Sequence, residues 1–533
     1  MASRHRSLPG AAQIPGPPQP PVWRAPSSGP PAGPTRDQAR MAFTAAIGDW
    51  CSGPGGLFEQ LARAIERAIR RGDLAPGTRL PPERSAAAML AVSRGTVMAA
   101  YAALREKGWV DSRRGSGTWI PVGVARGLRP DVEADDAGAP FRRFTAGLMS
   151  SRQDVIELGL SIVATPSGLP ENLLTLDRSD VAILTADHGY WPAGMPALRE
   201  AIAARHRQLG EPCGSESIVV TGGAQQALAT AAATTLRRGD TVVVESPTYP
   251  GAIDAFTRAG ARVVTVPSDD GWADVTALRR ALDDTSAAAL YLIPTCHNPT
   301  GSVMSEARRR AIARLVDERE IYLFEDETLA DLTFDGNRPP SIASRARSPR
   351  TLTIGSLSKS VWGGLRIGWL RAAPDIADRA LRAKMAQDLG LSVAGQLLGM
   401  RALEALPSII GMRRAQLATR AAVLRSSLNE LLPQWEVPAP FGGLSLWVSL
   451  GDADADQFAQ YALRRGVSVS PGSTHCPDGT GTGHLRIAFS RDTAELLSAA
   501  QRLADAWSDY TGRRGSPPRA PVPSAGDGRP PWS

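Results

Sequence analysis

The chain has 533 residues, 43% of them hydrophobic, which is enough for several domains with buried cores. Its four cysteines lie far apart, which argues against a structural zinc site or a disulfide framework and fits a reducing, cytoplasmic setting. No apolar run approaches the roughly 20 residues that a membrane-spanning helix needs. The net charge of +7 is carried by residues 1–122, since the rest is close to neutral. A basic N-terminal part suits a polyanionic partner, and a solvated basic face is the alternative.

Residues 1–50 are rich in proline and glycine and show no secretory signal, so we interpret them as a disordered extension. In the next segment, Leu57, Leu61, Ile65 and Ile69 form one stripe of a helix over 57–71. A short helix around 82–90 follows, and a third runs from an N-cap serine at 93 to about 107. Two strand-like runs then make a hairpin, so residues 51–121 predict a winged helix-turn-helix.

In such a domain the third helix enters the major groove of DNA by its N-terminal end, which here carries Ser93, Arg94 and Thr96. The residues expected near DNA phosphates are Arg79, Arg84, Arg113 and Arg114. A helical domain that contacts protein is the alternative. The segment resembles the GntR-type DNA-binding domain over about seventy residues, through "LPPER", "VSRGTV" and "GSGT". The resemblance implies double-stranded operator DNA as a partner.

Residues 122–152 mix glycine, proline and charges, and we interpret them as a flexible linker. From 153 to 510, runs such as "TVVVES", "ALYLIP" and "IYLFED" alternate with helical patterns. This alternation predicts an α/β fold with a mostly parallel sheet and helices on both faces. Residues 511–533 are predicted to be a disordered tail.

Polar residues follow these strand-like runs, where the active sites of such sheets form. Six positions follow the runs in chain order: the Gly223-Ala224 pair, Tyr249, Asn298, Asp326, the Ser356/Ser358 pair with Lys359, and Arg366. Arg486 stands in a later run, "GHLRIAF". Each has an ordinary alternative as a turn, a helix cap or a surface charge.

Lys359 is one of only three lysines, in a chain that otherwise uses arginine. Arginine can replace lysine where only charge is needed, but a guanidinium does not lose its proton and attack a carbonyl. Chance survival is the alternative, and it suits Lys107 and Lys384, which stand in ordinary polar, helix-like surroundings. For Lys359, the more specific explanation is that the chemistry requires an amine that can lose its proton.

The order of these residues matches the needs of pyridoxal 5'-phosphate: a lysine for a Schiff base, a carboxylate for the pyridinium nitrogen, a donor for the phenolic oxygen, an aromatic ring and a phosphate cup. Residues 153–510 resemble a fold-type I aminotransferase, with its large and small domains. A GntR-type domain, here residues 51–121 and called the head below, joined to such an aminotransferase-like domain resembles the MocR class of bacterial transcription regulators. That class combines a winged helix-turn-helix with a PLP-dependent aminotransferase-like domain.

The resemblance implies that Lys359 forms the Schiff base, Asp326 pairs with the ring nitrogen and Asn298 bonds the phenolic oxygen, while Tyr249 stacks on the ring. Phosphate contacts are implied for Ser356, Ser358, Arg366 and the backbone of Gly223 and Ala224. Tyr190 would reach the phosphate of a partner subunit in a head-to-tail homodimer. Arg486 would bind the carboxylate of a substrate or effector.

Two departures leave the catalytic function open. The family has a tyrosine two or three residues after the ring-pairing aspartate, whereas this chain has Thr328 and Leu329. Conversely, "HNPTG" is closer to true aminotransferases than to the regulators. Three hypotheses follow: a transcription regulator that senses PLP or an amino-compound effector, a working aminotransferase with a DNA-binding module, and a regulator that has lost the cofactor and uses its body to dimerise.

Overall fold

The computed structural model describes residues 43–44, 46–48, 50–51, 55–113, 117–121, 154–163, 169–170, 173–269 and 271–514. The predicted linker 122–152, most of the predicted N-terminal extension and most of the predicted tail lie outside the described residues, and so does Arg114.

The head contains the three predicted helices and the hairpin. Its elements are α1 (Leu57–Arg70), α2 (Glu83–Met89), α3 (Arg94–Glu106), β1 (Asp111–Arg113) and β2 (Gly117–Trp119), with the two strands antiparallel. The Ser93 hydroxyl accepts the backbone N–H of Thr96, as an N-cap should. Leu61, Ile65 and Ile69 are buried as predicted. Leu57 is 42% exposed, because it opens the helix beyond the edge of the core.

The head begins earlier than the predicted bound at residue 51. Phe43, Ala46, Ile47 and Trp50 are buried and belong to the same hydrophobic core as α1 and α3. Their spacing of three, four and seven residues places them on one helical face. The proline-rich composition of the preceding residues masked this short apolar pattern.

The large domain is built on one mixed sheet. Its strands are β4 (Ile218–Thr221), β5 (Thr241–Ser246), β6 (Arg262–Asp269), β7 (Trp272–Ala273), β8 (Ala289–Leu292), β9 (Tyr322–Asp326), β10 (Thr351–Ser356) and β11 (Gly368–Arg371), in the order β4-β11-β10-β9-β8-β5-β6-β7, while β3 (Ile156–Glu157) lies outside it. Strands β10, β9, β8, β5 and β6 run parallel, and β11 and β7 are antiparallel to their neighbours. The predicted mostly parallel sheet is confirmed.

Helices cover both faces of this sheet. The helices of the large domain are α4 (Arg178–Leu184), α5 (Pro196–Gln208), α6 (Ala224–Thr235), α7 (Pro250–Arg258), α8 (Val275–Thr285), α9 (Glu306–Arg319), α10 (Pro374–Met385) and α11 (Val393–Glu404). Along β5, Val242 and Val244 belong to one hydrophobic core and Val243 belongs to another. Alternate side chains of a strand point to opposite faces, so the apolar run in the sequence reflects burial on both sides.

The small domain follows a long helix, α12 (Leu406–Leu431). Its other elements are β12 (Ser445–Ser449), α13 (Ala455–Arg464), β13 (Val467–Ser468), β14 (Ser470–Pro471), β15 (His484–Ala488) and α14 (Thr493–Arg514). Strands β12, β15 and β14 form an antiparallel sheet, and β13 pairs in parallel with β3. Helix α14 continues beyond the predicted domain end at residue 510. Within the described part of the chain, no single helix meets the length and hydropathy of a membrane span, and one bent pair, α2 with α3, meets them by length and composition only.

Candidate cofactor site

Five parallel-running strands of the large domain deliver polar side chains to one cavity of about 300 Å³. It lies where β4, β5, β8, β9 and β10 end, the edge at which ligands bind in such sheets. Ten of the residues proposed from the sequence line it, namely Gly223, Ala224, Tyr249, Asn298, Asp326, Ser356, Ser358, Lys359, Arg366 and Arg486.

Lys359 stands three residues after the end of β10, and its Nζ donates a hydrogen bond to the carbonyl oxygen of Ser161 at 2.7 Å. Burial lowers the pKa of Lys359 to about 8, assisted by the positive charges of Arg486 and Arg366 and opposed by Asp326. An amine with this pKa is available in its neutral form close to physiological pH. Lys359 therefore has the properties of a nucleophile, which none of the arginines could supply.

Asp326 is the last residue of β9, and its carboxylate is held on both oxygens. Its Oδ1 accepts the backbone N–H of Thr328 at 2.9 Å, and its Oδ2 accepts the hydroxyl of Tyr291 at 3.0 Å. Burial raises the pKa of Asp326, while these hydrogen bonds and Lys359 oppose the rise. The carboxylate is thus fixed in position and gains from a cationic partner, which a protonated ring nitrogen provides.

The start of α6 forms a cup suited to phosphate. Gly223 caps the helix with a φ of +124°, a backbone conformation that residues other than glycine rarely adopt. A Cβ on Gly223 would lie 3.1 Å from the guanidinium of Arg366, and one on Gly368 would lie 2.6 Å from the backbone of Gly223. Backbone N–H groups at a helix N-terminus beside an arginine bind anions. Ser356 and Ser358 also line the cavity, and their hydroxyls lie 2.9 Å apart.

Arg486 is buried, and its hydrogen bonds in the described part of the chain go to neutral oxygens. Its Nη1 donates to Asn298 Oδ1 at 3.1 Å, its Nη2 donates to the carbonyl oxygen of Gly159, and its Nε is buried with no hydrogen-bond partner among the described residues. Burial lowers the pKa of Arg486 to about 10. A buried cation that is not hydrogen-bonded to a carboxylate favours binding of an anionic group.

The two tyrosines proposed for the cofactor lie in different places. Tyr249 lines the cavity, and its hydroxyl donates to Gln225 Oε1 at 3.0 Å. Tyr190 does not line this cavity and is 61% exposed. A reach into the site of a second subunit is compatible with that exposure.

Several residues that line the cavity were not proposed from the sequence: Ser161, Ile162, Val163, Gln225, Ile293, His297, Gly363, Leu444 and Ser445. Gln225 and His297 stand beside proposed residues, so neighbourhood alone could have suggested them. Ser161, whose carbonyl oxygen accepts the hydrogen bond from Lys359, carries no signal in the sequence because 198 residues separate the two.

On the head, the residues proposed to contact DNA that are described lie at the surface or are partly buried. Arg79, Arg84 and Arg113 are exposed. Arg94 is exposed too, but it pairs with Glu83 of α2 at 2.9 Å. The hydroxyls of Ser93 and Thr96 lie 2.9 Å apart at the start of α3.

The head contacts the small domain through helix α13. Gln457 donates to the carbonyl oxygen of Ala88 at 2.6 Å, and Arg464 donates to that of Leu90 at 2.8 Å. Both acceptors lie at the C-terminal end of α2, and the carbonyl oxygen of Ala88 also accepts the backbone N–H of Ala91 at 3.2 Å. In addition, the indole of Trp50 donates to Gln460 at 3.0 Å.

The donor set fits pyridoxal 5'-phosphate. A lysine with a lowered pKa, a buried carboxylate, a glycine-shaped anion cup and a buried arginine converge in one cavity. When bound, this cofactor supplies an electron sink for bonds at the carbon next to an amino group. The protein would supply the attacking amine from Lys359, the counter-charge from Asp326 and the phosphate contacts from Arg366 and the start of α6.

Comparison with known proteins agrees with this site. Residues 156–503 match the family "Aminotransferase class I and II", and residues 57–120 match "Bacterial regulatory proteins, gntR family". The chain is 28% identical to the HTH-type transcriptional regulator YisV of Bacillus subtilis, over 81% of this chain and 92% of that protein. It is 30% identical to the probable rhizopine catabolism regulatory protein MocR of Rhizobium meliloti, over 60% of this chain and 66% of that protein.

Among solved structures, the chain is similar to LysN, the α-aminoadipate aminotransferase of Thermus thermophilus, in complex with N-(5'-phosphopyridoxyl)-L-leucine. The two are 26% identical with a TM-score of 0.63, over 70% of this chain and 95% of that one. The match to the aminotransferase model spans well over half of the chain. The chain therefore belongs to the aminotransferase class I and II family and carries a gntR-family helix-turn-helix domain in its N-terminal part.

Proposed function

We propose that the protein is a DNA-binding transcription regulator whose aminotransferase-like domain senses pyridoxal 5'-phosphate or an amino compound that binds together with it. The observation that carries this proposal is the contact of α13 with the helix-turn-helix. Gln457 and Arg464 donate hydrogen bonds to the C-terminal end of α2, so a movement of α13 would change the position of α2.

A short series of contacts connects α13 with the cavity. Asp456, on α13, accepts the hydroxyl of Ser473 at 2.8 Å. Two residues on, the carbonyl oxygen of His475 accepts the backbone N–H of Thr248 at 2.9 Å, and Tyr249 of the cavity follows directly. A ligand that binds one arrangement of this segment more tightly than another shifts the population of head positions.

The effector we propose carries a carboxylate and an amino group. Arg486 is buried, donates its hydrogen bonds to neutral oxygens and lines the cavity, so it is the cation that we propose for the carboxylate. Lys359 is the amine that an incoming amino group would displace from the cofactor. The second ligand in this proposal is pyridoxal phosphate alone. It would occupy the same cavity but would bring no carboxylate for Arg486.

We propose that the protein acts in the cytoplasm as a head-to-tail homodimer, with Tyr190 reaching the phosphate bound by the partner. Exposed apolar side chains support a dimer: Tyr190 and Leu389 are more than half exposed, and so are Val181 and Ile183 on α4. Segment 190–192 and segment 388–390 are adjacent, since a Cβ on Gly390 would lie 3.0 Å from the backbone of Trp191. Apolar patches of this kind commonly mark protein interfaces.

The alternative is a working aminotransferase, and a specific observation supports it: Lys359, Asp326 and Asn298 all line the cavity. Sustained conversion of an amino acid and a keto acid by the purified protein would establish this alternative. A single half-turnover would not, because a sensor can also carry out one.

The experiment that tests the proposal is fluorescence anisotropy of labelled DNA from upstream of the protein's own gene. It compares protein stripped of cofactor with protein reloaded with pyridoxal phosphate, at fixed salt because phosphate contacts make affinity salt-dependent. We expect specific binding that changes with the cofactor or with an added amino acid. If this DNA is bound no more tightly than random DNA, the protein does not regulate its own gene, and that form of the proposal is contradicted.

A further inference from the structure

Lys384 occupies a buried site, contrary to the expectation from the sequence. The side chain, near the end of α10, is fully buried. Its Nζ donates to the carbonyl oxygen of Pro192 at 3.1 Å and to Asp388 Oδ1. Lys107, by contrast, is 58% exposed and lies 3.6 Å from Glu66. The polar sequence around Lys384 hid this burial, because its partners include a residue 192 positions away.

The hydrogen bonds continue from Lys384 to the cofactor cavity. Asp388 Oδ2 accepts the side-chain N–H of Gln226 at 2.6 Å. Gln226 Oε1 in turn accepts the backbone N–H of Gly222 at 2.7 Å. Gln226 is the third residue of α6, and a side chain at this position reaches back to fix the start of a helix. The turn so fixed carries Gly223 and Ala224, which line the cavity.

The same lysine also holds the segment that contains Tyr190. Pro192, its acceptor, is two residues from Tyr190, and the backbone of Ala193 accepts the N–H of Val220 on β4. Lys384 thus connects the 190–195 segment, which it contacts through Pro192, with the start of α6, which it reaches through Asp388 and Gln226. A compact ammonium can donate in three directions from a buried point, whereas the planar guanidinium of arginine needs more room. This explains a second lysine in a chain that otherwise uses arginine.

We propose that Lys384 is a positioning residue for the cofactor phosphate, which acts through Asp388 and Gln226 on the N-terminal turn of α6. The proposal extends beyond the regulatory function. It rests only on the binding of pyridoxal phosphate at the cavity, and it holds whether the protein is a regulator or an enzyme.

The test measures the affinity of the stripped, full-length protein for pyridoxal phosphate and for pyridoxal, which reacts with the same lysine but has no phosphate. Both are titrated by the visible absorbance of the bound ligand. The variants are Lys384→Met and Gln226→Leu, with Lys107→Met as the matched control. We expect both test variants to bind pyridoxal phosphate about ten-fold more weakly, as the loss of one charge-assisted contact suggests. Pyridoxal affinity should not change, and the control should bind both ligands as the wild type does.

Equal losses for the two ligands would overturn the proposal, because they indicate general damage to the fold. Unchanged affinity for pyridoxal phosphate in Gln226→Leu would overturn it as well. That variant also decides the matter if Lys384→Met does not fold, since it breaks the same series of contacts and leaves the Lys384–Asp388 pair intact. The DNA-binding measurement above is separate, so failure of the regulatory proposal is distinguishable from failure of this one.

Discussion

Gln457 of the small domain donates its side-chain N–H to the carbonyl oxygen of Ala88 in the head at 2.6 Å, across 369 residues of sequence. Arg464 makes the equivalent bond to Leu90 about two turns further along α13. The C-terminal end of α2 in the head therefore receives two hydrogen bonds from the aminotransferase-like domain. This relationship gives the regulatory proposal its most direct test.

The double variant Gln457→Ala, Arg464→Ala should uncouple the head from the cofactor site. Each hydrogen bond contributes about 1 kcal/mol, so the preference for one head position falls by about 2 kcal/mol. The difference in DNA affinity between cofactor-loaded and stripped protein should shrink accordingly, as measured by anisotropy. Arg465→Ala is the control, because Arg465 lies beside the same helix but pairs with Asp509. A cofactor response equal to that of the wild type would contradict the proposal.

Arg94 and Arg113 should affect DNA binding in different ways. Arg94→Ala should weaken operator binding by about 1–3 kcal/mol and relax the preference for one base pair, because Arg94 stands at the start of the recognition helix. Arg113→Ala should weaken binding to all sequences alike and reduce the salt dependence by about one phosphate contact.

Glu83→Gln should raise the affinity for DNA, because it removes the carboxylate that pairs with Arg94 at 2.9 Å. We expect tighter binding to random DNA in the same assay. An Arg94→Ala variant that binds operator and random DNA with unchanged ratio would show that this arginine does not read bases.

The attachment of pyridoxal phosphate to stripped protein should be strongly pH-dependent. The pKa of Lys359 is lowered to about 8 by burial and by cationic neighbours. Below that pH the amine is mostly protonated and cannot attack, and above it the neutral form dominates. The rate of attachment, followed by stopped-flow absorbance, should therefore rise with pH and level off above about 8.

Arg486→Met should move this midpoint to higher pH, because it removes the positive charge that contributes most to the repulsion. A wild-type midpoint near the ordinary lysine value of 10.5 would show that Lys359 is not buried as described.

Leu329→Tyr should restore a hydrogen-bond donor that the family has near this position. Leu329 is 9% exposed and lines the cavity. A phenol there would stabilise the negative charge on the cofactor's phenolic oxygen, so the visible band of the bound cofactor should titrate about one pH unit lower, as one neutral hydrogen bond of about 1 kcal/mol implies.

Leu329→Phe is the control for the added bulk, which costs about 1–3 kcal/mol of stability in a packed site. If the phenylalanine variant shifts the band as far as the tyrosine variant does, the hydroxyl is not responsible.

The sequence alone determined the local elements and the order of the polar motifs. The apolar runs of β5, β8 and β9 identify buried strands because both faces of the sheet are covered. The residues after those runs meet in one cavity because parallel strands end at the same edge. The three helices of the head follow from their apolar stripes and from the N-cap at Ser93.

Only the tertiary structure decided which distant residues meet. Three hydrogen-bonded pairs are separated by 198, 188 and 192 residues, respectively: Lys359 with Ser161, Arg486 with Asn298, and Lys384 with Pro192. No periodic pattern encodes such contacts, because hydrophobic periodicity reports which face of an element is buried and not what lies against it. For the same reason, the sequence located the head and the body but not the contact of α13 with α2, on which the coupling between them depends.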